Sequence, residues 1–428
     1  MKVWDAIVIG AGAAGLAAAS DLARCGARVL LLEARSGPGG RIRTRRPRGS
    51  PLPVELGAEF IHGADPELLG IARREGLLVD RLPNEHLELR GREWRPVRGV
   101  WRRFSEATRA MRSGGEDRSV EEFLAARRMT PRDRRLLHGM FEGFEAAAVH
   151  RLSEQSVSTA GEGTESPEER AQFRFASGYD GVVRSLERDF LEAGGSVRYG
   201  APVRAVAWRR GRVDVLTPSN ESLRSRRAIV TVPVGVLQAP AGTRGAIAFE
   251  PDPPRLRRAL ARIAMGHVAR ITLRFRDAFW KRRISGHGGA SFFHAEGEPF
   301  PTWWTAEPAE TAMLTGWVGG PPAYRWIGAP RSAVRDAALA TLTRIFLVRG
   351  RTLRELLLGA HSHDWSADSC TRGAYSYVLV GGADAPARLS RPIEGTLYFA
   401  GEATEREEGG TVQAAIRSGR RAAKQALR

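Results

Sequence analysis

A chain of 428 residues, 42% hydrophobic and 27% charged, is long enough for two or three domain-sized cores and is not a disordered polymer. Basic residues outnumber acidic ones 66 to 48, a formal charge of +18, yet only Lys2, Lys281 and Lys424 are lysines, a skew that reflects codon composition more simply than a selected guanidinium surface. The excess charge attracts polyanions non-specifically, but no basic stretch interleaved with aromatics forms a nucleic-acid module, so nucleic acid is not the expected partner.

Ala6 to Gly10 is a short apolar, β-branched run suited to a strand buried on both faces. It breaks into Gly10-x-Gly12-x-x-Gly15, then an Ala- and Leu-rich helix to Cys25, then a second strand over Arg28–Leu32 that ends on Glu33. That strand–turn–helix–strand context makes the glycine motif a strong signal for an adenine dinucleotide. Gly10 makes the tight turn, Gly12 lets a pyrophosphate meet bare backbone, and Gly15 lets helix and strand pack closely. The helix start offers free N–H groups to phosphate, and Glu33 can take both ribose hydroxyls while repelling a 2′-phosphate. The loop after it, with Arg35, Gly39, Gly40 and Arg41, suits a diphosphate, to which Arg41 brings a charge-assisted fork. A strand returning toward the cofactor is expected around Glu55 to Gly63.

From about Asp80 to Ser177 the pattern predicts helices, with N-cap signatures at Ser119-x-x-Glu122 and Thr130-Pro131-x-Asp133. Leu136, Leu137, Met140, Phe141 and Phe144 recur on one face and read as core; His138 and His150 read as structural. The polar stretch 161–170 reads as an exposed loop. Ser177 to Gly181 opens another helix, strands follow near Val197 and Val203 and over Val213–Leu216, and Ala228–Pro233 is a buried strand closed by proline. Arg255–Ile263 reads as a helix and Ile271–Phe275 as a strand. The aromatics from Phe292 to Trp326 read mostly as core, one or two facing a cavity; Val334 to Ile345 marks a later helix. Leu397–Ala400 is a strand, followed by Gly401, Glu402, the pair Gly409 and Gly410, and a final helix from Thr411. A helix N-terminus stabilises negative charge.

Cys25 and Cys370 fit no metal or C-x-x-C spacing, which suits a reducing compartment; no disulfide framework and no metal are expected. The first strand begins almost at Met1, and no apolar run reaches the ~20 residues that span a bilayer. A cytoplasmic protein with no membrane partner is expected.

The combination of Gly10-x-Gly12-x-x-Gly15, Glu33, Gly39-Gly40-Arg41 and Glu55-x-Gly57-Ala58 resembles the flavin-containing amine oxidases: monoamine oxidases, polyamine oxidases and lysine-specific histone demethylases. Phe60 to Gly63, with His62, is most similar to the polyamine-oxidase branch. The resemblance implies an α/β fold, α+β overall. In it a Rossmann-like FAD-binding domain of the glutathione-reductase-like type (1–80, 178–265, 366–428) is interleaved with a mixed-sheet-plus-helices substrate domain (81–177, 266–365). It implies FAD as cofactor, held also by Ala14, Ala58, Glu59, Phe60, Val203 at the adenine, Gly401, Glu402 near the ribityl–diphosphate, and Thr411 and Val412 at the pyrimidine carbonyls. Trp365 and Tyr375, at the family's spacing, would wall the amine site, with His62 beside the channel.

Three departures from that pattern carry expectations. Ala374 stands where monoamine oxidases attach flavin through cysteine, so the cofactor should be non-covalent. Thr411 replaces their second aromatic-pair tyrosine. Arg270 takes the place of a lysine that holds a water near the flavin; a guanidinium stays charged and accepts no proton, and a surface arginine on a shifted strand is the other reading. The implied reaction is hydride transfer from the carbon beside an amine to FAD, imine hydrolysis, and reoxidation by molecular oxygen to hydrogen peroxide. Only the neutral amine releases hydride readily, although an alkylammonium has a pKa near 10.4, and an apolar aromatic site favours the neutral form. Polyamine-like or general primary and secondary amines are the substrate class, with Glu85, Glu88, Glu142 and Glu145 as possible entrance carboxylates. The alternatives are an FAD-dependent dehydrogenase or desaturase of a non-amine apolar substrate, and a polyanion-binding flavoprotein with secondary redox activity. Oligomeric state is not legible.

Overall fold

The computed structural model describes residues 3–83, 85–97, 99–161, 171–284 and 289–428. The opening strand Val3–Ile9 lies inside an eight-stranded sheet, paired in parallel with Val29–Leu32 on one side and Ser222–Val230 on the other. Ser196–Arg198 extends the first edge, and Leu397–Phe399 joins the far end of the nine-residue strand, both in parallel. Arg212–Leu216 and then Ala205–Arg209 continue the sheet through antiparallel pairings, and Ala248–Glu250 closes the other edge in parallel with Ala205–Arg209.

The parallel part accounts for its unbroken apolar sequence. Ile7, Val8, Leu30, Leu31, Ala228 and Ile229 are fully buried because both faces of the sheet are covered. Helices Ala13–Arg24, Asp180–Glu192 and Val412–Leu427 share a core on one face. Val234–Leu237, Pro254–Leu260 and Ala385–Leu389 cover the other. One sheet is thus assembled from three separated stretches of chain.

The intervening stretches build a seven-stranded sheet in the order Leu357–Ser362, Val268–Phe275, Met313–Gly319, Thr302–Thr305, Phe292–His294, His86–Arg90, Glu93–Pro96. Helix Arg331–Ile345 backs it over Phe293, Trp303, Leu314 and Phe346. Helices Val100–Arg109, Val120–Ala126, Pro131–Phe144 and Glu154–Gly161 gather around Phe123, Phe141 and Leu152. Both expected caps form: Ser119 makes a full capping box with Glu122, and Thr130 accepts from the Asp133 N–H.

Several expectations are corrected. The 80–177 stretch is not purely helical: His86–Arg90 and Glu93–Pro96 pair onto the second sheet, and Gln172–Phe175 joins Phe60–His62 and Val79–Arg81 in a three-stranded sheet. The expected helix over 255–263 ends at Leu260, because Ile263–Met265 is needed as a strand against Ser376–Val378. The strand expected from Ile271 begins at Val268. Of the loop expected over 161–170, residues 162–170 lie outside the described residues.

Candidate active site

The two halves of the fold meet around one cavity of about 1820 Å³ that reaches from the glycine turn to the second sheet. Every site residue named from the sequence lines it except Gly15, whose place is underneath. There, a side chain would put its Cβ 1.8 Å from the Gly10 carbonyl oxygen, so the helix and the turn can touch only through glycine. Gly10 itself sits at φ +104°, a backbone conformation that L side chains resist. At Gly12 an added Cβ meets nothing of the protein within 4 Å. The space there is left open in front of the uncapped start of helix Ala13–Arg24. An open cradle of bare N–H groups is the fit a diphosphate requires.

Beside it the Glu33 carboxylate, 6% exposed, accepts from the Ala11 N–H at 2.7 Å and the Arg35 N–H at 2.9 Å. It is therefore fixed before any ligand arrives. Arg35 reaches forward to Asp368 at 2.8 Å and lies 6.0 Å from the centre of the Trp365 ring. Burial alone would raise the Asp368 pKa, but His363, the Cys370 N–H and Arg35 together hold it well below the ordinary value. Arg41 donates from Nη1 to Glu402 at 2.8 Å and to the Ala374 carbonyl at 2.9 Å. Glu402, 3% exposed, takes the Ser376 hydroxyl at 2.7 Å on its other oxygen. The Trp365 indole N–H bonds the Leu56 carbonyl at 2.8 Å. The late segment is thus tied to the early loop by ion pairs, and helix Val412–Leu427 starts at the cavity wall, its cap Thr411 satisfying only the Ala414 N–H.

Across from the cradle, Arg270 is buried and not a surface arginine. Its Nη1 donates to the Gly57 carbonyl at 2.7 Å and its Nη2 is ion-paired with Glu59. The same carboxylate takes Arg174 at 2.9 Å and the Trp304 indole N–H at 3.2 Å. Glu59, expected at the cofactor, therefore spends its side chain as the anchor of two guanidiniums. Glu55 behind it accepts from the Tyr179 N–H and the Thr44 hydroxyl, both at 2.8 Å, yet burial and then Glu59 push its pKa up to about 7.

The helix Pro131–Phe144 forms the wall opposite. Its apolar stripe divides: Leu137 and Phe141 are core, whereas Leu136, Met140 and Phe144 face the cavity together with His138, Glu142 and Glu145. The reading of this stripe as wholly core, and of His138 as structural, is corrected accordingly; His150 is exposed. Glu145 follows the helix end and bonds no other side chain among the described residues. Enclosure by protein raises its pKa to about 7. Its charge adds to the burial that raises the pKa of Tyr375, whose hydroxyl donates to the adjoining Phe144 carbonyl at 2.7 Å. His62 is solvent-exposed and lines the cavity, and the protein packed around it lowers its pKa against the weaker pull of Glu408.

Sequence reasoning missed two cavity residues, His86 and His294, and the buried arginine Arg174 behind the wall. His86 and His294 meet through Nδ1 and Nε2 at 2.9 Å, and the His86 ring stacks on Phe292 at 4.5 Å. Arg174 stands 5.6 Å over the Phe60 ring. Alternation along His86–Arg90 puts His86 and Glu88 on one face, a signal that was available; the parallel register of Phe292 opposite His86 was not. Glu88, Glu142 and Glu145 line the cavity as considered, and Glu85 does not.

Comparison with known proteins adds the following. The family model described as flavin containing amine oxidoreductase matches residues 13–427. "Lysine-specific histone demethylase 1 homolog 2" of Arabidopsis thaliana is 28% identical over 98% of this chain and 58% of its own length. "Polyamine oxidase 3" of Oryza sativa subsp. japonica is 27% identical over 98% of this chain and 88% of its own. The chain thus spans little more than half, or less, of the demethylase relatives it matches. A putrescine oxidase solved with putrescine superposes with a TM-score of 0.81 at 19% identity, covering 100% of this chain and 99% of that one. Cyclohexylamine oxidase from Brevibacterium oxydans IH-35A does so with the same score at 22% identity, covering 100% and 99%. At these identities the likeness is one of fold.

Proposed function

The chain belongs to the flavin-containing amine oxidoreductases, and from that premise we propose that it is an FAD-dependent oxidase of primary or secondary amines, with the cofactor held non-covalently. The observation that carries the reading is the single cavity joining the glycine cradle to an enclosed carboxyl, Glu145, beside Tyr375.

The bound flavin supplies hydride acceptance from the carbon beside the amine nitrogen, and its return to the oxidised form with oxygen supplies hydrogen peroxide. The residues do the rest. The cradle and Glu33 would hold the adenine dinucleotide, and Val412 at the helix start would offer its N–H to developing negative charge, the Thr411 N–H being given to the Glu408 carbonyl at 3.3 Å. Glu145 attracts the incoming alkylammonium and, with a pKa near 7, can hold its proton at the carboxyl oxygen once the amine is desolvated against Tyr375. His62, its pKa lowered by the protein around it, can hydrogen-bond the amine. The iminium product leaves for water, where it hydrolyses to a carbonyl compound and the smaller amine.

The test is direct. The purified protein should be yellow, lose its colour anaerobically on addition of an amine, and yield peroxide in air. Acid precipitation should leave all of the flavin in the supernatant, since Ala374 offers no thiol. Bleaching by no amine, together with turnover of a non-amine apolar substrate with a dye acceptor, would establish a dehydrogenase or desaturase instead.

A further inference from the structure

At its second-sheet end the cavity is a chamber walled by aromatic side chains. Phe60, Phe292 and Trp304 form a triangle with ring centres 5.4 to 6.3 Å apart. Such rings normally attract a cation, but here their faces are already engaged. Arg270 lies 5.4 Å over Trp304, Arg174 lies 5.6 Å over Phe60, and His86 covers Phe292. Two guanidiniums share one carboxylate, Glu59, so this wall carries a net positive charge. The far end is the His86–His294 pair, bonded ring to ring at 2.9 Å.

We infer that this chamber selects amines with one cationic centre and an uncharged, preferably cyclic or aromatic, remainder, and works against linear diamines and polyamines. The inference rests on the amine-oxidase reading above and names its substrate class. Of the carboxyls lining the cavity, Glu142 and Glu145 sit one turn apart at the end of their helix, Glu145 beside Tyr375, while Glu296, two residues beyond His294, stands exposed to solvent. Glu142 and Glu145 serve the reacting nitrogen. A second ammonium carried onward would enter apolar rings backed by fixed positive charge. Glu88, on the chamber strand, is already engaged by Arg90 and Arg132. Burial keeps both histidines neutral, at pKa values of about 3 and about 4, so they neither repel nor neutralise a cation. An unpaired buried charge is strongly unfavourable, whereas a ring packs against these aromatic side chains at a gain.

The experiment uses the flavin-loaded protein, phenethylamine and benzylamine against putrescine and spermidine, with anaerobic flavin bleaching and kcat/KM as readouts. The monoamines should exceed the polyamines by more than about tenfold. His294→Glu, which adds a carboxylate at the far end, should narrow or reverse that ratio, and recovery of the yellow holoprotein shows that the variant has folded; if it has not, Phe292→Glu takes its place. Polyamine rates equal to or above the monoamine rates would overturn the inference and leave the oxidase reading intact. If no amine bleaches the flavin, the oxidase reading falls. Tryptophan-fluorescence titration then still decides the chamber: tighter phenethylamine supports the inference, tighter putrescine overturns it.

Discussion

Arg270 and Glu59 are closed against each other inside the protein, each side chain about one-tenth exposed, with Arg174 on the same carboxylate. The pair makes the position of the Arg270 guanidinium a property of the fold. It also makes the three residues unequal. Removing Glu59 leaves two buried cations without a counter-charge, while removing Arg270 leaves the Glu59–Arg174 pair intact.

Glu59→Gln is accordingly expected to cost on the order of 3–5 kcal/mol, the typical penalty for breaking a buried ion pair from one side. Arg270→Met should cost clearly less. Thermal or urea unfolding of the two variants compares them. Stopped-flow of Arg270→Met should show slowed flavin reduction or reoxidation; if both rates match the parent, the guanidinium has no part in the reaction.

Glu145 predicts a pH dependence with a definite sign. Its free carboxyl must be ionised to attract an ammonium, so kcat/KM should rise with pH through a midpoint near 7 and level off above it. In Glu145→Gln only the neutral amine is productive, and the limb should move toward the substrate's own pKa, near 10. An unchanged profile would remove Glu145 from the chemistry.

The same carboxyl, with Glu55, ties stability to pH. Both folded pKa values are raised, from 4.5 to about 7, so the fold binds protons more tightly than the unfolded chain does. Their contribution is complete below about 4.5 and is lost as pH rises to about 7. Melting temperatures across that window should fall less steeply in Glu145→Gln than in the parent.

Two glycines separate folding from ligand binding. Gly15→Ala drives a methyl into the Gly10 carbonyl and should lower the melting temperature and abolish flavin retention together. Gly12→Ala meets no protein atom, so the apoprotein should melt as the parent does while the flavin is lost. Calorimetry of apoprotein and absorbance of the purified holoprotein distinguish the two cases.

The cradle was readable from sequence because each glycine answers a local steric demand, and because a strand, a helix and an acidic residue follow at fixed spacing. The helix Pro131–Phe144 was half readable. Its periodicity revealed an apolar face, but a residue on a cavity wall and a residue in a core have the same sequence signature, so Met140 and Leu137 looked alike. Arg270 could be placed in the chain but not in space: its setting depends on Glu59, 211 residues away. His86 and His294, 208 residues apart, meet only through a parallel strand pairing that no local pattern announces.

Arg41 and Glu402, 361 residues apart, are joined across the ligand cradle, as are Arg35 and Asp368 at a separation of 333. A growing chain therefore leaves the ribosome with its nucleotide turn already made and the opposite side of the cradle still unsynthesised. A closed cradle therefore waits until the helix beginning at Val412 has been made and has docked.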